Sequence, residues 1–286
     1  MIGTGAETMD KIKKQDERGF TLVELLTVLA IITMLLGLMV PSLNMARRFA
    51  KETKQKAQLA TIGAALTVFR SDYGEYPPSN LDSVAGKDYY CGAQKLCEAM
   101  LGWDLMGFDP ETQWNAVGTA YRQPGSIDRR KGRYLELATV DAFRIDGVAW
   151  SEGLFANPGP FAGDTYVLCD VFKQKRNVNA GAPVLYYRAN TASKTLTAKD
   201  PEDRIYNYMD NVELIKVKEW EDDKKFGDQL SLEASFYDYI QDPKVSTEPW
   251  PDDPRAWPYR PDSYLLITAG ADGRYGTRDD ICNFGN

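Results

Sequence analysis

The chain has 286 residues, 43% of them hydrophobic and 12% aromatic, a composition that builds a core and excludes disorder throughout. Its formal net charge of −7 opposes general nucleic-acid binding, and a mean hydropathy of −0.42 makes most of it compatible with water. It contains no histidine, which excludes Ser-His and Cys-His catalytic pairs and removes the commonest transition-metal ligand, so no enzyme is expected.

Residues 1–19 form a polar leader in which Lys11, Lys13, Lys14 and Arg18 balance Glu7, Asp10, Asp16 and Glu17. An apolar run follows from Phe20 to Val40, interrupted by one charge, Glu24. As a helix this run extends about 31 Å at 1.5 Å per residue, close to the hydrocarbon thickness of a bilayer, and it is too long for a cleaved secretory signal. The positive-inside rule comes close to a tie, because Arg47, Arg48, Lys51, Lys54 and Lys56 follow the span. Glu24 lies about one turn inside it, where a charge is costly. Physics alone allows two readings: a carboxyl that snorkels or is protonated, and a carboxylate kept for a partner.

The residues Gly19-Phe20-Thr21-Leu22-Val23-Glu24, between a polar leader and an apolar run ending at Pro41, resemble the processing signal of type IV prepilins and type II secretion pseudopilins. The resemblance implies cleavage after Gly19 by prepilin peptidase and methylation of the new N-terminal Phe20. It implies that Glu24 attracts the N-terminal amine of a neighbouring subunit, which at low dielectric favours association and sets the register between helices. It also implies an inner-membrane protein with its leader in the cytoplasm and its head in the periplasm, a filament of like subunits, and an inner-membrane assembly platform as partner.

Beyond Pro41 the pattern stays helical to Tyr73, with Leu59, Ile62, Leu66, Phe69 and Tyr73 on one stripe. Gly37 and Pro41 weaken the helix, and the pilin resemblance implies a break there. The helix ends at Asp72-Tyr73-Gly74-Glu75-Tyr76-Pro77-Pro78, a phrase similar to the helix end of the major pseudopilin. The expected segments are thus a leader over 1–19, a membrane half over 20–40, an amphipathic half over 41–73 and an extracytoplasmic head over 74–286.

In the head, Cys91 and Cys97 either close a small disulfide or stay unpaired at a helix start. A helix is expected over Ala93 to Leu101 and mostly loop over Asp104 to Lys131. Strands are expected over Tyr134–Val140, Thr165–Phe172, Val184–Ala189 and Tyr264–Thr268, and a helix over Leu230–Ile240; Asn211–Glu219 fits either state. A helix followed by strands without βαβ alternation predicts an α+β fold, an antiparallel sheet packed on the first helix.

The C-terminal segment Ala269–Phe284 combines Gly270, Gly273 and Gly276 with Asp272, Asp279 and Asp280, a loop either of ordinary turns or of hard oxygen ligands for calcium. Its place after a strand resembles the calcium loop of major pseudopilins, which implies Asp272 and Asp279 with backbone carbonyls as ligands, and Asp280 beside them. Two other functions compete with a filament subunit. A binding module, in a type IV pilin or minor tip subunit, would display Trp103, Trp114, Trp250 and Trp257 on one exposed face. A membrane-tethered enzyme would need a carboxylate pair such as Asp252 and Asp253 in a deep pocket.

Overall fold

The computed structural model describes residues 20–84, 87–118, 125–147, 153–173, 178–221 and 229–285. The leader, including Gly19, lies outside the described residues. The chain divides into two units, Met1–Arg47 and Arg48–Asn286.

The described part of the first unit is the opening of helix α1 (Leu22–Tyr73). All its residues from Phe20 onward are exposed, including Leu22, Ile31, Leu35 and Leu38. Apolar surface left in water costs about 25 cal/mol per Å², so this segment is built for lipid or for other helices. The hydroxyls of Thr27 and Thr33 bond back to carbonyls of their own helix, Glu24 at 2.9 Å and Leu29 at 3.0 Å. The helix continues through Gly37 and Pro41, contrary to the expected break. The proline ring meets the carbonyl of the residue four before it, which is Gly37, where nothing lies within 4 Å of a side-chain position.

In the second unit the remainder of α1 buries Gln55, Gln58, Leu59, Ile62, Ala65, Leu66 and Phe69, the stripe expected from the sequence. Gly74, at φ +85°, ends the helix by donating its N–H to the Arg70 carbonyl at 2.8 Å. Strands β1 (Asp82–Val84) and β2 (Lys87–Tyr90) pair ahead of helix α2 (Gly92–Leu101), all ten residues of which are buried. The short helix α3 (Ser126–Arg129) comes next, and β3 (Asp141–Arg144) pairs with β4 (Tyr166–Cys169). Helices α4 (Met209–Glu221) and α5 (Glu233–Ile240) fall between β5 (Leu185–Arg188) and β6 (Tyr264–Thr268), and β7 (Ile281–Cys282) completes the order β5-β6-β7. Among the described residues the three sheets are antiparallel, so the α+β expectation holds, with the sheet divided into pieces.

The β5–β6 pair is covered on both faces, and its side chains alternate between two cores with the period of a strand. Leu185, Tyr187, Leu265 and Ile267 join Leu214, Ile215, Phe236 and Tyr237 from the α4 and α5 side. Tyr186, Tyr264 and Leu266 join Leu59, Ile62, Leu66 and Phe69 of α1 and Leu96 and Met100 of α2.

The expected strand over Tyr134–Val140 is instead a turn. Tyr134 donates its N–H to the Met100 carbonyl, and Thr139 bonds back to the Glu136 carbonyl at 2.9 Å; pairing starts only at Asp141. The burial of Leu135 and Val140, not extended structure, accounts for the apolar pattern there. Strand β4 stops at Cys169 because the Asp170 carboxylate turns the chain, accepting the N–H groups of Phe172 and Ala182. The ambiguous Asn211–Glu219 segment is helix.

Candidate functional site

The N-terminus of α1 is organised by two polar side chains. Thr21 precedes the first helical residue, and Glu24 is the third residue of the helix. Glu24 Oε2 accepts the Thr21 N–H at 2.9 Å and the Thr21 hydroxyl at 2.8 Å, while the Glu24 N–H donates to Thr21 Oγ1 at 3.2 Å. This is a capping box, which satisfies helix-end N–H groups that otherwise lack partners. Its carboxylate sits at the positive end of the helix dipole. The Thr-x-x-Glu spacing was available in the sequence as a capping signature, a signal that the apolar run obscured. Phe20, directly ahead of the box, is exposed.

The C-terminal loop leaves β6 after Thr268 and returns as β7, with Ile267 opposite Cys282 and Thr268 opposite Ile281. Gly270 adopts φ +60°, and a Cβ there would stand 2.1 Å from the Asp279 carbonyl oxygen, so glycine is required for the two sides of the loop to close. Asp279 Oδ2 accepts the Asp272 N–H at 2.9 Å, and Asp279 Oδ1 accepts the Thr277 hydroxyl at 2.6 Å. Burial pushes the Asp279 carboxyl up, but the bonds from Thr277, the backbone of Asp272 and Ala271, and the Asp272 side chain outweigh it and hold it below its ordinary value.

Asp280 faces another way. It accepts the Gly276 N–H at 2.7 Å and the Tyr239 hydroxyl at 2.8 Å, and burial pushes it up to about 7. Thus Asp272 and Asp279 come together, two carboxyls within bonding reach of each other, a donor set that fits a hard cation, while Asp280 is engaged elsewhere. Among the described residues no group of three or more His, Cys, Asp or Glu side chains converges as a metal cluster, so backbone carbonyls would have to complete any shell.

Cys91 and Cys97 are free and buried. Cys91 precedes the first residue of α2 and belongs to the core on the α4 and α5 side; Cys97 belongs to the core shared with α1. Six residues of helix separate them by about 9 Å, beyond the ~7 Å between Cα atoms that a disulfide spans. Burial pushes the Cys91 thiol up to about 12 and raises Cys97 as well, so both remain protonated at neutral pH. The four named tryptophans, all among the described residues, make no exposed platform. Trp103 is buried; Trp250 and Trp257 pack on one core and Trp114 on the other. Trp250 stacks on Tyr237 with ring centroids 4.9 Å apart. Asp253 caps its own loop by accepting the N–H groups of Thr247 and Arg255.

Residues 14–40 match the family described as the prokaryotic N-terminal methylation motif, which covers the end of the leader, Gly19, Phe20, Glu24 and the apolar half of α1. Among the described residues one helix, α1, is long and apolar enough to cross a membrane, and this motif followed by such a helix and an α+β head is similar to the arrangement of type IV pilin-like precursors. No curated protein and no solved structure matches the chain.

Proposed function

We propose that this protein is a structural subunit of a type II secretion pseudopilus, close in kind to the major pseudopilin. Prepilin peptidase cuts it after Gly19 and methylates Phe20, and it polymerises with like subunits through α1 on an inner-membrane assembly platform. The observation that carries this reading is the methylation motif placed on a helix whose apolar half is exposed along its described length. The leader stays in the cytoplasm and the head lies in the periplasm.

In this reading Glu24 changes partner on assembly. In the single chain its carboxylate is satisfied by Thr21. After cleavage, the Phe20 amine of a neighbouring subunit competes for it in a medium where such a pair is strong. Asp272 and Asp279 with backbone carbonyls would hold one calcium ion, which adds stability by mass action where calcium is abundant. The packing of Trp103, Trp114, Trp250 and Trp257 supports this reading over a binding module that displays them.

The test is intact mass and N-terminal sequencing of protein recovered from membranes of cells with and without prepilin peptidase. A chain beginning at N-methylated Phe20 only when the peptidase is present is the expected result. An uncut chain in both would overturn the reading.

A further inference from the structure

Lys95 is a lysine on a helix with no exposed face, and its side chain is only 1% exposed. Its ammonium group meets three oxygens from a single short segment: the Asn80 backbone carbonyl at 2.7 Å, Asn80 Oδ1 at 2.9 Å and Asp82 Oδ2 at 2.5 Å. The other oxygen of the same carboxylate, Asp82 Oδ1, accepts the Asn80 side-chain amide Nδ2 at 2.6 Å. One carboxylate therefore holds an amine with one oxygen and a carboxamide with the other, while the amine also touches the carboxamide oxygen. This is a closed ring of nucleophile, electrophile and proton carrier.

We propose that Lys95 and Asn80 become joined by an intramolecular isopeptide bond, with Asp82 relaying the protons. Asp82 takes a proton from the Lys95 ammonium, and the free amine attacks the Asn80 side-chain carbonyl carbon. A bond forms between Lys95 Nζ and that carbon. Asp82 delivers its proton to Nδ2, the bond from the carbon to Nδ2 breaks, and Nδ2 leaves as ammonia. The second proton released from Nζ leaves with it as ammonium. The products are a secondary amide and ammonium, with Asp82 again a carboxylate and no oxidant or cofactor consumed.

Three features favour the step. Amine and carboxamide are held in contact, which replaces a bimolecular encounter by an effective molarity of ~10⁵ M or more. The carboxylate already bonds both groups between which the proton must move. Asn80 and Asp82 also line a cleft of about 880 Å³ with Ser79, Arg188 and Asp210, through which ammonia escapes. The bond would lock the segment entering β1 to α2, joining residues 15 positions apart.

The test is mass spectrometry of the wild-type full-length chain, denatured, with peptide mapping of residues 71–95. The expected result is a chain lighter than the encoded one by one ammonia, with a branched peptide linking Asn80 to Lys95 in the fragment spectra. Lys95→Arg should restore the encoded mass of that region. Asp82→Asn, checked by circular dichroism for retained fold, should slow bond formation by ~10²-fold or more. Two separate peptides of encoded mass in the wild type would overturn the proposal. So would a mass deficit that persists in Lys95→Arg, which would mark a succinimide at Asn80, or a bond that forms at the wild-type rate in Asp82→Asn.

Discussion

Gln58 of α1 donates its side-chain Nε2 to the backbone carbonyl of Cys169 at 3.0 Å, at the point where β4 ends. One turn earlier Gln55 Oε1 accepts the Val171 N–H at 2.9 Å, so two buried glutamines of the helix read the backbone of a strand end as a further strand would. These bonds fix the rotation of α1 against the sheet, which apolar contacts alone leave free to slip. Gln58→Leu is expected to remove this buried side-chain bond and cost about 1 kcal/mol, the net worth of one hydrogen bond. Urea unfolding of the detergent-solubilised protein measures it, and a midpoint equal to wild type would show that the pair contributes only apolar packing.

Glu24→Ala is expected to leave peptidase cleavage largely intact and to impair incorporation into filaments. Thr21→Ala removes the other half of the capping box and should weaken the start of α1 by about 1 kcal/mol. Filament yield in a shearing assay, scored beside cleavage by immunoblot, separates the two steps. Normal incorporation of Glu24→Ala would refute its role in register.

The C-terminal loop separates its aspartates by partner. Calcium is expected to raise the melting temperature of the wild type and to leave Asp279→Ala unchanged. Asp280→Ala should destabilise the head with or without calcium, because it removes the acceptor of the Gly276 N–H and leaves the Tyr239 hydroxyl only the weaker Cys282 sulfur. Differential scanning calorimetry with calcium and with chelator reads both effects; identical wild-type traces in the two conditions would remove the ion.

Asp210 is buried and accepts the Ser79 hydroxyl. Burial pushes its carboxyl up to about 7; the Ser79 bond and Lys95 oppose the rise, while Asp82 and Glu202 reinforce it. The unfolded chain titrates this group near ~3.9, so between the two values the folded state keeps a proton that the unfolded state has lost. Its stabilising contribution is complete below about pH 4 and declines as pH rises towards 7, by up to ~1.4 kcal/mol per unit. Relative to wild type, Asp210→Asn is therefore expected to gain stability between pH 5 and pH 8. Melting curves at the two pH values decide, and a gap that does not change with pH would show that Asp210 titrates elsewhere.

What could be read in advance followed chemical locality. The apolar run, the stripe from Leu59 to Phe69 and the β6 segment are set by periodicity within one element, and they stand where the sequence placed them. The Tyr134–Val140 turn misled because burial from a distant partner, Met100, leaves the same apolar signature as a strand. The loop aspartates could be named from composition, but which carboxylate turns to Tyr239 depends on a residue 41 positions away. The Asn80, Asp82 and Lys95 ring stayed hidden for the same reason: nothing in its sequence spacing shows that α2 folds Lys95 back onto the entry to β1.

The inward turn of the Thr27 and Thr33 hydroxyls has a mechanical consequence. With those groups tied to their own helix, the stretch from Leu25 to Val40 presents a greased surface without polar teeth, over which, in the proposed filament, a neighbouring helix would glide or rotate without breaking any bond. Position along such a shaft is then marked by a single notch, Glu24. A fibre made this way would change its twist and pitch under tension at little cost while its subunits keep their count.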